Sequence, residues 1–212
     1  MTAILLGGGA VFGAVAGWWP IAGSARSATH GTRLWTRRAR ITVTVAAALG
    51  GLAICWGIGL SPALLPALVF LITGTALAAT DAAERRVPAG TVFSASVLIA
   101  GSLVIAAAID GTWWTLLWAG LGALGMGAIA AAGAHWLPRI VAWRDLGLPM
   151  LAGLVLGALG WQAWVAGLAG MLVIGFLVAS VARLRGDSTT LAGAVPLGPS
   201  IMAASVLAIV LV

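Results

Sequence analysis

From Ile41 to Thr80 no side chain carries a charge. An uncharged run of that length cannot be the surface of a soluble domain, and at about 20 apolar residues per crossing of roughly 30 Å of hydrocarbon it holds two membrane spans. The whole chain repeats the pattern. Of its 212 residues 62% are hydrophobic and 8% charged, with a mean hydropathy of +1.13, well beyond the composition of soluble domains. Cutting at charges, prolines and Gly/Ser-rich breaks gives apolar segments at 3–23, 41–60, 63–80, 90–109, 113–134, 146–160, 163–182 and 191–212. The fold expected is an all-α polytopic membrane bundle of about eight transmembrane helices. The sixth segment is short, so it either crosses with little tilt or is a partial helix buried among its neighbours. No positive residue precedes the first apolar run and the basic cluster follows it, so that run reads as a retained span rather than a signal peptide.

All eleven basic residues are arginine, and their distribution tests the segment count. Arg26, Arg33, Arg37, Arg38 and Arg40 fall between spans one and two, and Arg85 and Arg86 between three and four. Arg139 and Arg144 fall between five and six, Arg183 and Arg185 between seven and eight. Every arginine therefore lies in an odd-to-even connection, the pattern of cytoplasmic loops, which puts both termini outside. The formal charge of +6 follows from this bias. There is no basic tail or aromatic-interleaved surface, so nucleic acid is not an expected partner. Lipid is.

Single residues divide between packing and chemistry. Cys55 is the one cysteine and sits in an apolar run, which excludes a disulfide framework and a cysteine zinc site and leaves a small buried hydrophobe. His30 and His135 are too separated to form a metal site, and no cofactor is implied. Thirty glycines indicate close helix packing, with "GLVLG" from Gly153 to Gly157 as a GxxxG face whose partner can be a helix of the same chain. "GMG" at Gly125–Gly127 reads as packing, and "IDGTWW" around Asp110 as a turn with interfacial tryptophans.

Four of the five acids, Asp81, Glu84, Asp145 and Asp187, gather on the arginine-rich side. Asp81 ends the third apolar segment, where a carboxylate meets the negative end of its own helix dipole. Placing an acid in the bilayer costs about 2.5–3.5 kcal/mol on insertion scales, so such a residue has a partner or a task. One reading pairs it with Arg85 on a solvated loop.

The other reading comes from the wording around it. "DAAERRVPAGTV" from Asp81, the "DG-x-W" turn at Asp110, "LVLGALGWQAW" from Leu154 to Trp164 and "VPLGPSIMAAS" from Val195 to Ser205 resemble, in the same order, the prepilin peptidases (type IV leader peptidases). The resemblance covers roughly residues 65–205, with Asp81–Pro88 and Val195–Pro199 its clearest pieces. It divides the chain into an N-terminal hairpin with an Arg-rich cytoplasmic loop, 1–64, and a peptidase-like membrane domain, 65–212.

The resemblance implies a membrane aspartyl endopeptidase of the bacterial inner membrane that removes the leader of prepilin-like substrates at the cytoplasmic face. That chemistry takes two carboxyls: one deprotonates a water, and its protonated partner donates to the scissile carbonyl. Asp81 is the first. The family's second acid ends a Gly-x-Gly-Asp motif with a lysine two residues later. In "WRDLGLPMLAG" an ungapped reading puts Leu148 and Met150 at those positions. Asp145, three residues earlier, shares a helix face with Leu148 and is the candidate for the second acid; its other reading is a helix cap. The connection Ser24–Arg40 lacks the cysteine-containing insertion of the methylating members, so the likeness is to the short leader peptidases of pilus assembly. Two other classes remain open. A relative without hydrolysis would act in binding or assembly, and a transporter or channel would want polar groups near the midplane rather than at one edge.

Overall fold

The structure, a computed structural model, describes residues 7–11, 13–15, 37–84, 89–136, 146–184 and 197–211. Those residues are helical apart from short turns. Residues 7–11 and 13–15 are helical, followed by α1 (Arg37–Ile58), α2 (Leu64–Glu84), α3 (Ala89–Asp110), α4 (Trp114–Trp136), α5 (Gly147–Leu159), α6 (Trp161–Leu184) and α7 (Gly198–Leu211). Hydrocarbon leaves helices as the way for such apolar segments to satisfy their backbones. Pro66, Pro149 and Pro199 all fall in a first turn, where a missing N–H costs nothing. Gly59 and Gly111, at φ +66° and +67°, let α1 and α3 stop in a conformation that other residues avoid.

Among the described residues, α1, α2, α3, α4 and α6 carry stretches long and apolar enough to cross a membrane. The count of about eight is thus met in part. The sixth apolar segment is the partial helix, α5, of 13 residues, and the last yields the 14-residue α7. Both are shorter than a span. α5 is enclosed by its neighbours, with Leu148, Leu151, Val155 and Leu156 in the core beside Phe70, Leu77 and Ile99.

Small residues set the closest contact. A Cβ on Gly122 of α4 would stand 2.8 Å from Gly157 Cα and closer still to the Gly153 carbonyl oxygen. The GxxxG face of α5 therefore meets α4 of the same chain, backbone on backbone. Trp164 of α6 covers this seam: its indole N–H donates to the Gly122 carbonyl at 3.0 Å, and its ring lies against Gly125. Gly127 faces Met150, so both glycines of "GMG" are packing residues. Cys55 is buried against Gly9.

Helix ends sort onto two sides. α7 begins beside the end of α2, and Gly147 at the start of α5 abuts Val92 in the first turns of α3. At the other end Gly57 of α1 meets Val210 of α7. The described helix ends that flank the arginine-bearing segments therefore lie at one end of the bundle. At the opposite end Trp56, Trp113, Trp114, Trp118 and Trp161 are all exposed, as an aromatic belt at a bilayer surface would be.

Candidate functional site

Asp81 occupies the last turn of α2, and it is not on a solvated loop. The helix continues past it to Glu84, and the side chain is only 7% exposed. Its Oδ2 accepts the backbone N–H of Gly198, the first residue of α7, at 2.9 Å across a separation of 117 positions. This resolves the electrostatic problem posed by the sequence. The carboxylate sits at the unfavourable end of its own helix but at the favourable, N-terminal end of another, where free N–H groups and the dipole receive an anion.

The start of α7 is shaped for this contact. Ser200 Oγ donates to the Leu197 carbonyl at 2.7 Å and the Ile201 N–H to the same carbonyl at 3.0 Å, closing the first turn. Pro199 has no N–H to orphan. A Cβ at position 198 would lie 2.8 Å from Ala78 Cα and 3.2 Å from Asp81 Cβ, so only glycine admits this approach. The sequence marked "VPLGPS" as a landmark but gave no sign that its glycine is the donor to Asp81, because the group that donates is backbone.

Asp145 lies outside the described residues, as do Arg85, Arg86, Asp187 and His30. The two residues that follow it are placed: Leu146 is the N-cap of α5, with no side-chain cap hydrogen bond, and Gly147 packs on Val92. The chain therefore enters α5 at the end of the bundle where α2 ends and α7 begins. Leu148 is buried in the core cluster that also holds Leu77 and Ala78 of α2, and Met150 is partly exposed against Gly127. Both do apolar packing.

A cleft of about 760 Å³ runs between α1, α2 and α7. Ala46 and Gly50 line one wall, Ala78 and Ala82 another, and Pro199 and Ala203 the third. Its near end flanks Asp81 and Gly198, and the polar atoms on its walls are few, chiefly Thr42 and Thr75. The Thr75 hydroxyl is turned onto the Leu71 carbonyl of its own helix. Asp110 and His135 are exposed, at opposite ends of the bundle and far from this cleft in the helix order. Among the described residues no group of His, Cys, Asp and Glu could hold a metal ion.

No protein-family model, curated protein or solved structure matches the chain.

Proposed function

We propose that the protein is a membrane aspartyl endopeptidase of the prepilin peptidase type, with Asp81 and Asp145 as its paired acids. The observation that carries this reading is the Asp81–Gly198 hydrogen bond. It joins in space the two stretches that most resemble the family, and it fixes a buried carboxylate at the rim of an apolar bundle. In the reaction one carboxylate takes a proton from water as the water oxygen bonds to the scissile carbonyl carbon. The protonated acid donates to the carbonyl oxygen, and collapse of the tetrahedral intermediate breaks the C–N bond as the amine leaves with a proton. The arginine-rich end of the bundle is the cytoplasmic face in this reading, the membrane is a bacterial inner membrane, and both termini lie outside.

Coexpression with a prepilin-like substrate tests the pair. Wild-type protein removes the leader, and Asp145→Ala lowers the rate by about 10²–10⁴, the usual contribution of a positioned acid or base. Unchanged cleavage by Asp145→Ala ends its assignment as the partner acid.

The apolar cleft that starts beside Asp81 suits the apolar segment of the substrate. Ala203→Trp places an indole in it from an exposed position on α7. KM is expected to rise about tenfold with kcat little changed, the signature of lost uniform binding. A KM equal to wild type in steady-state assays on membranes removes the cleft from the substrate path.

A second reading has its own observation. Leu148 and Met150 are packing residues where the resemblance places an acid and a lysine, which favours a binding or assembly partner without hydrolysis. That protein would copurify with uncut substrate.

A further inference from the structure

Resting on the reading of Asp81 as one of the paired acids, we infer that Gly198 is a positioning residue for the reaction. Its amide holds one carboxylate oxygen, and its lack of a side chain is what brings α7 close enough for the amide to reach. With Oδ2 accepting the Gly198 N–H at 2.9 Å, rotation about the Asp81 Cβ–Cγ bond is restrained and the direction of Oδ1 is biased.

The geometry leaves little room for another arrangement. A Cβ at 198 would meet Ala78 Cα at 2.8 Å, Asp81 Oδ2 at 3.0 Å and Asp81 Cβ at 3.2 Å. Neither carbon lies at the far end of a rotatable side chain, so any larger residue separates α7 from α2 and lengthens the hydrogen bond. Pro199 offers no N–H to replace it, and the Ser200 hydroxyl is committed to the Leu197 carbonyl. Catalysis is steep in such displacements, since a shift of about 1 Å in a reacting group can cost on the order of 100-fold.

A purely structural staple between α2 and α7 would use the same hydrogen bond, so the test must separate the two roles. Steady-state cleavage of a prepilin-like substrate in vesicles is compared for wild type, Gly198→Ala and a protein with glycolic acid at position 198, introduced by cell-free translation. The last adds no atom beyond replacing N–H by an ester oxygen, and guards against a Gly198→Ala protein that simply fails to pack. Positioning predicts that the ester, assayed at a temperature where it is fully folded, lowers kcat by about tenfold or more with KM within about twofold, in addition to the lower unfolding midpoint that loss of a hydrogen bond to a charged group brings. Gly198→Ala, where it folds, loses about 100-fold. An ester protein that cuts at wild-type kcat, or that loses thermal stability alone, overturns the inference while leaving the peptidase reading intact. A wild-type protein that leaves the substrate uncut removes that reading and this inference with it.

Discussion

On the proposed peptidase reading, Asp81→Asn is expected to abolish leader cutting and to leave the fold standing. The asparagine side-chain oxygen still accepts the Gly198 N–H, so the junction of α2 and α7 that this bond makes at 2.9 Å persists. What asparagine cannot do is take or give the proton on which hydrolysis depends, and kcat is expected to fall by about 10²–10⁴. Asp81→Ala goes further. It leaves a buried N–H at the start of α7 without its acceptor, at about 1–3 kcal/mol, so activity and stability fall together. Cleavage of a prepilin-like substrate and unfolding followed by tryptophan fluorescence in detergent separate the effects. Wild-type cleavage by Asp81→Asn would reduce Asp81 to a helix cap.

The largest stability effect is expected away from the acids, at Gly122→Val. Its Cβ meets the Gly157 Cα at 2.8 Å and crowds the Gly153 carbonyl, and neither backbone atom can yield unless α4 and α5 part. Overpacking costs about 1–3 kcal/mol where side chains absorb it and more where they cannot. The parting also strains the indole bond from Trp164, which ends on the Gly122 carbonyl. Gly120→Val on the same helix is the control: nothing lies within 4 Å of its added Cβ, so its unfolding free energy should stay within the about ±0.5 kcal/mol of ordinary surface changes and its midpoint close to wild type. Equal midpoints for the two variants would mean that the α4–α5 seam is not tight. Because α5 starts two residues after Asp145, cleavage should fall with Gly122→Val as well.

How far such a site can be read before folding depends on what kind of group does the work. The spans of α1 to α4 were legible because hydrocarbon thickness fixes the length of an apolar run. The shortness of α5 was legible because its run is itself short. The partner of the "GLVLG" face was not, since small residues on α4 and α5 announce close approach but not to whom. Asp81 stood out as a charge in a greasy chain. Gly198 could not stand out in the same way: its contribution is an N–H that every residue but proline carries, and a side chain that is not there. Trp164 illustrates the same limit, since its acceptor is a backbone carbonyl 42 positions away. The helix of α2 runs about one turn beyond the apolar segment that ends at Thr80, and the helix end that compensates Asp81 lies 117 positions further on, where no local pattern points to it.

The brevity of α5 and α7 has a bearing on the lipid itself. At 1.5 Å per residue their 13 and 14 residues reach about 20 Å, and both finish at the tryptophan-belt level. Their beginnings therefore stop about 10 Å short of the opposite surface of a hydrocarbon layer about 30 Å thick. The Gly198 amide is taken up by Asp81 and the start of α5 is enclosed by its neighbours, so protein rather than lipid covers these recessed ends. The bundle can thereby keep two sub-length helices in a bilayer of ordinary thickness.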